Sequence, residues 1–297
     1  MDFDTGILKD IFRPRVSDSH KGTYGYIALI GGSLMYSGAI RLAALAAAAA
    51  RSGAGVVTVA VPESIAPVVA SHVLVSTIYP LTDEEGAAGH IGYAPEQIDT
   101  LMRRRKAIAF GMGVGTGSGA RRVLRHLLEN YEGRLLIDAD GLNILAEDME
   151  LLYKSKAKIV LTPHLMEFSR LSGLSLAEIE ADKEGTAKDF AAHCRLKGAD
   201  VTLLLKGPVT VVTDGEEIIP VKAGCPGMAS GGSGDVLSGI ATAMLGYSTQ
   251  PVLWTVAAAA YVNGRAGELA QALHGDISMT AADTVMQIED VIKETRS

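Results

Sequence analysis

The stretch Ala223-Gly224-Cys225-Pro226-Gly227-Met228-Ala229-Ser230-Gly231-Gly232-Ser233-Gly234-Asp235-Val236-Leu237-Ser238-Gly239 decides the reading of this chain. Its Gly and Pro content marks a loop, and the run 236–245 that follows has the pattern of an amphipathic helix. A loop entering a helix leaves the first backbone N–H groups without partners, with the positive end of the macrodipole behind them. Glycines at 231, 232 and 234 let the backbone curl toward a ligand with no Cβ in the way. Such a junction is an anion site, most often for phosphate. No Gly-Lys-Ser/Thr follows the glycines, which excludes a Walker A loop. Asp235 stands beside the site. It reads as the N-cap of the helix or as a carboxylate that takes a proton from an attacking hydroxyl, and both can hold at once.

Upstream of that loop, short apolar runs alternate with helical segments. The runs Tyr26–Ile30, 56–61, Ala107–Phe110, Arg134–Ile137, Lys158–Leu161 and 201–205 read as strands. The first is joined to the second by an Ala-rich helix over 38–52, giving a parallel unit with a right-handed crossover. Segments 209–213 and 217–221, with Asp214-Gly215 between them, read as a hairpin. Three helices close the chain, over 236–245, 251–273 and the C-terminus. The pattern predicts one three-layer α/β/α domain over residues 1–297 with a mostly parallel sheet. Polar or Gly-rich loops follow the strands at 31, 111, 138, 162 and 206, and open sheets of this kind hold ligands at that edge.

Composition narrows the function. The 297 residues are 48% hydrophobic but only 5% aromatic, so Ala, Val, Leu and Ile must build the core. A net charge of −7 argues against nucleic-acid binding. The basic run Arg103-Arg104-Arg105-Lys106 reads as a solvated helix end. Two cysteines, Cys194 and Cys225, form no spaced pair and imply neither a disulfide framework nor a zinc site. The N-terminus lacks a signal pattern, and the alanine run 42–50, bracketed by Arg41 and Arg51, is too short to span a membrane. A soluble, cytoplasmic protein is expected.

Several strand-end residues carry two readings each. Gly115-x-Gly117-x-x-Ala120 fits a dinucleotide fingerprint, yet lies outside the first βαβ unit and has more glycines than the turn needs. Asp140 either caps a helix beginning near Leu142 or holds water or a cation near a transferred phosphate. His164 and Glu167 share one loop, as structural groups or as ligand contacts. Lys206 is either a solvated strand-end charge or an ammonium for an anion, with Gly207 and Thr210 beside it.

Taken together, HKGxYGYIALIGGS with Ser37-Gly38-Ala39, GMGVG, DADGLN, TPHxxEFSRL, LKGPVT and MASGGSGDVLSGI resemble the NAD(P)H-hydrate dehydratases of the ribokinase-like superfamily. The resemblance covers nearly the whole chain, and the epimerase domain of some relatives finds no room here. It implies repair of hydrated NADH or NADPH: a nucleoside phosphate, ADP or ATP, phosphorylates the added hydroxyl, and loss of phosphate restores the reduced ring. Asp235 then matches the catalytic carboxylate that contacts the substrate, and Gly232, Ser233 and Gly234 the anion hole, Gly234 also touching the nucleotide. Lys206, Gly207, Pro208, Val209 and Thr210 match the nucleotide loop. Ala39, Gly113, Gly115 and His164 match positions that hold the hydrated dinucleotide. Glu167 matches a residue that organises Mg²⁺ through water, although His164 stands where many superfamily kinases have Asn. A homo-oligomer, a tetramer, is implied as well. The alternative is a superfamily kinase of a small hydroxymethyl vitamin precursor.

Overall fold

The computed structural model describes residues 3–47 and 52–296, and the end of the first Ala-rich helix predicted from sequence lies outside them. Eleven strands are present among these residues: β1 (Tyr26–Ile30), β2 (Val56–Pro62), β3 (Thr77–Leu81), β4 (Asp83–Glu84), β5 (Ala87–Ile91), β6 (Ala107–Phe110), β7 (Arg134–Ile137), β8 (Lys158–Leu161), β9 (Asp200–Leu205), β10 (Thr210–Thr213) and β11 (Ile218–Val221). Nine of them form one sheet in the order β11-β10-β9-β8-β7-β6-β1-β2-β3, and β4 pairs with β5 in a separate hairpin. From β9 through β3 the neighbours run parallel, while β10 is antiparallel to both β9 and β11.

The central strands are buried on both faces, which explains why they read as unbroken apolar runs rather than alternating ones. Two cores flank the sheet. One lies under the helices Ser37–Ala47, Ser233–Tyr247, Val252–His274 and Ala281–Glu294, and includes the alanines 257–260. The other lies under Ser118–Asn130, Asp140–Glu147, Leu165–Ser172 and Lys183–Leu196. This is the expected three-layer α/β/α arrangement. Small alanines let the helices of the first layer approach closely; a Cβ added to Gly239 would stand 2.2 Å from the Ala43 carbonyl oxygen.

Two elements escape the sequence reading. Strand β3 contains Pro80, and the sheet accommodates it because β3 is an edge. The β4–β5 hairpin is short and carries Gly86 and Gly89 at φ 75° and 82°. The basic run is also only partly solvated: Arg103 and Arg104 are exposed, but Arg105 turns inward and donates to Thr58 Oγ1 at 3.0 Å. No described helix is long and apolar enough to cross a membrane.

Candidate active site

The glycine loop meets its helix at the carboxyl edge of the sheet. The helix begins at Ser233, three residues earlier than the apolar pattern indicates, and its N-cap is Gly232 at φ 101°. Only glycine fits there: a Cβ would lie 2.5 Å from Leu42 Cδ1 and 3.0 Å from Ala281 Cβ. Gly231 faces open space instead. Ser233 Oγ donates to the Met228 carbonyl at 2.8 Å, which folds the loop back and leaves the first-turn N–H groups as the anion donors.

Asp235 is therefore not the cap. It sits in the first helical turn, half-buried, and its carboxylate accepts no hydrogen bond from the described residues. Burial and the nearby Asp138 carboxylate push it up to about 7, with Asp140 adding to the rise and Lys206 opposing it. An unpartnered carboxylate that changes charge near neutrality is suited to accept a proton.

Beneath it lies a buried polar knot. Asp138, directly after β7, is 2% exposed. It accepts from Thr162 Oγ1 at 2.9 Å and Lys206 Nζ at 3.0 Å on Oδ1, and from Ser238 Oγ at 2.8 Å on Oδ2. Lys206 Nζ is also 3.8 Å from Glu167 Oε2. Burial works against this ammonium, but Asp138 and Glu167 outweigh it and hold the lysine above its ordinary range. Lys206 is thus an inward-facing charge and not a solvated strand end.

Ala139 separates the two carboxylates of its loop with φ 48° and ψ −118°, a strained conformation for a residue with a Cβ. The turn sends Asp138 inward and Asp140 outward, where Oδ2 accepts from the Gly115 amide at 2.8 Å. Asp140 is the first residue of its helix and does not cap it; it fastens the 113–115 glycine loop to β7. That loop packs on the first crossover: a Cβ on Gly113 would lie 2.6 Å from Tyr36 Cβ and 3.2 Å from Ala39 Cβ. Ala39 and Gly113 thus adjoin each other along the sheet edge, while a Cβ on Gly115 would meet His90 instead, 3.4 Å from its Nδ1.

The dinucleotide fingerprint is used differently. The helix Ser118–Asn130 has its N-terminus occupied by Glu84 Oε1, which accepts from Ser118 Oγ and from the Gly119 amide at 3.2 Å. A carboxylate thus holds the place a pyrophosphate would take, so this is no Rossmann phosphate site.

His164 caps the helix Leu165–Ser172 through a reciprocal box: its Nδ1 accepts from the amides of Met166 and Glu167, and Glu167 Oε2 accepts from the His164 amide at 2.8 Å. Glu167 Oε1 makes no hydrogen bond and stands 3.5 Å from His164 Nε2. Two connected spaces open above these groups. A cleft of about 700 Å³ is lined by Asp138, His164, Glu167, Lys206 and the segment 228–235. A chamber of about 550 Å³ joins it at Lys206, Gly207 and Gly234, with Pro208, Thr210, Cys225 and Asn263 in its walls. Val209 is not among the lining residues; its carbonyl accepts from Lys183 Nζ at 2.6 Å. Among the described residues no group of three His, Cys, Asp or Glu side chains forms a metal cage.

In the sequence Asp138 stands out only as the start of a strand-end loop and as an acid, with Asp140, at the distance a dinucleotide fingerprint expects, and neither Thr162 nor Ser238 is singled out. The clue was the placement of Asp138 and Thr162 directly after adjacent strands.

The chain that carries this cleft resembles known proteins in sequence and in fold. Residues 27–290 match the family model described as NAD(P)H-hydrate dehydratase. The chain belongs to that family. An ADP-dependent (S)-NAD(P)H-hydrate dehydratase of Cenarchaeum symbiosum is 37% identical over 282 residues, covering 94% of this chain and 92% of the relative. The bifunctional NAD(P)H-hydrate repair enzyme of Hyperthermus butylicus is also 37% identical, and this chain spans about half of its length (50%). Among solved structures, the ADP/ATP-dependent NAD(P)H-hydrate dehydratase of Bacillus subtilis, co-crystallised with ATP and Mg²⁺, superposes with a TM-score of 0.80 at 25% identity over 99% of both chains. A hydroxyethylthiazole kinase of Pyrococcus horikoshii, at 16% identity and a TM-score of 0.60, shares the fold. The chain thus shares its three-layer α/β/α fold with both a dehydratase and a kinase.

Proposed function

We propose that this protein dehydrates the S form of hydrated NADH or NADPH back to the reduced cofactor, with ADP as the phosphoryl donor. The observation that carries this reading is the unpartnered Asp235 carboxylate, poised near pH 7 beside the open glycine turn and the Lys206 ammonium. Asp235 accepts the proton of the hydroxyl on the hydrated ring as its oxygen attacks the terminal phosphorus, and AMP departs. The amides at 232–234 and Lys206 hold the charge of the phosphoryl group in transit. Loss of phosphate from the ring carbon, with the neighbouring proton, restores the double bond; phosphate leaves where hydroxide would not. Ala39, Gly113, Gly115 and His164 are assigned to the dinucleotide, and Lys206, Gly207, Pro208, Val209 and Thr210 to ADP.

The residues also fit a magnesium ion. Mg²⁺ keeps most of its waters and needs few protein ligands, and the free Oε1 of Glu167 in the cleft wall suits a water-mediated contact. Bound there, the ion would neutralise phosphate charge.

The test is Asp235→Asn. Turnover, read as recovery of reduced-ring absorbance from hydrated NADH and ADP, should fall by about 10²–10⁴-fold, the usual contribution of a general base. ADP binding measured by calorimetry should persist. Undiminished turnover removes Asp235 from the mechanism, and a stable phosphorylated product in place of NADH would indicate a kinase.

A further inference from the structure

The β4–β5 hairpin places an unengaged imidazole at the carboxyl edge of the sheet, beyond the 113–115 glycines. His90 lies on β5, half-buried, and makes no hydrogen bond with the described residues. Its Nδ1 is 3.4 Å from where a Cβ on Gly115 would stand, so it faces the glycine loop at a point where that loop has no side chain. The backbone around it is fixed. The Gly89 amide donates to Asp83 Oδ2 at 3.0 Å, and the Gly89 carbonyl accepts from the Leu34 amide at 2.9 Å. Glu84 is near enough to feel the charge of His90, but it is engaged at the start of the helix Ser118–Asn130, by Ser118 Oγ and the Gly119 amide. Beside the hairpin, Leu34, Met35 and Tyr36 are 69%, 78% and 56% exposed, three consecutive large side chains in the loop after β1. An exposed apolar run of this kind next to a cleft marks a contact surface.

We propose that His90 binds the pyrophosphate of the dinucleotide substrate, so that the adenylate half of hydrated NADH or NADPH lies between the β4–β5 hairpin and the 34–36 loop. This rests on the dehydratase reading given above. Strand order supplies the direction. The nucleotide loop follows β9, Asp138 follows β7, the 113–115 glycines follow β6 and the 34–36 run follows β1, in the sheet order β9-β8-β7-β6-β1. In phosphoryl transfer the attacking and leaving oxygens are roughly in line. With ADP on the β9 side of Asp235, the acceptor extends the other way, over β6 and β1. From β7 to β1 is two strand spacings, about 10 Å. The nicotinamide riboside spans that gap, and the phosphates then arrive where His90 stands. An imidazole N–H donates to a phosphate oxygen whether the ring is neutral or charged.

The experiment measures steady-state kinetics of the full chain with hydrated NADH and ADP, for the wild type and His90→Ala. The variant should raise KM for hydrated NADH roughly tenfold, as for one lost hydrogen bond to a charged group, with kcat and KM for ADP unchanged. It should melt with the wild type, since the imidazole makes no bond in the fold. The hydrated form of reduced nicotinamide riboside has the same reacting ring and neither phosphate, so its kcat/KM should be equal in the two proteins at whatever level the wild type sustains. An unchanged KM for hydrated NADH overturns the assignment of His90. A parallel loss with the riboside, or in KM for ADP, overturns it as well, because the residue would then act through the fold. A wild type that turns over no hydrated NADH overturns the dehydratase reading, and this proposal with it.

Discussion

Lys206 Nζ lies 3.0 Å from Asp138 Oδ1 and 3.8 Å from Glu167 Oε2, so the ammonium beside Gly234 is held between two buried carboxylates. The lysine joins the ends of β9, β7 and β8. It also supplies positive charge at the point where the two spaces meet.

Removing that lysine should cost stability as well as activity. Lys206→Met leaves Asp138 with two hydroxyl donors and no counter-charge, and stranded buried charges cost about 3–5 kcal/mol. Asp138→Asn in the same chain should restore part of the loss, because the carboxylate it leaves stranded is then gone. Urea unfolding of the two single variants and the double variant measures this coupling. Strict additivity would show that the ion pair does not act as a unit.

The raised Asp235 predicts two pH effects of defined sign. A base must be ionised to work, so kcat/KM should climb as pH passes about 7 and level off above it. Stability runs the other way. The unfolded chain releases this proton near pH 4 and the folded one near 7, so the fold binds more protons between them and loses stability as pH rises through that window. Asp235→Asn should therefore be more stable than the wild type at pH 8, by roughly 1–3 kcal/mol, with the advantage gone below pH 4. Thermal melts at both pH values check it; a variant equally stable at both would show that the carboxylate is not strained by its setting.

Two neighbouring glycines should answer differently to alanine. At Gly232 the methyl meets Leu42 and Ala281 at positive φ, so Gly232→Ala should destabilise the helix start by about 1–3 kcal/mol. At Gly234 the nearest atom to a Cβ is Lys206 Nζ at 3.4 Å, an ordinary contact, and the residue is already helical. Gly234→Ala should fold at least as well as the wild type while its methyl intrudes on the proposed phosphate seat. Parallel melts and ADP titrations separate the cases; full ADP affinity in Gly234→Ala would move the phosphate elsewhere.

The central strands β1, β6, β7 and β8 were readable because burial on both faces writes itself as a short apolar run. Strand β3 was not, since Pro80 reads as a breaker until its edge position is known. In the site, the glycine turn announced itself through local backbone chemistry. Asp138 did not: its partners Thr162, Lys206 and Ser238 lie 24, 68 and 100 positions away, and no periodicity encodes such a set.

The Asp138 carboxylate has a consequence for biosynthesis. Its last hydrogen-bond donor, Ser238, is made a hundred residues after it. A growing chain whose parallel strands are all made, and whose Lys206 already faces that acid, still leaves it one hydrogen bond short until the third-from-last helix emerges and docks. Catalytic competence and the burial of that acid arrive in a single late event, so fragments lacking the C-terminal third should be both inactive and open at the sheet's carboxyl edge.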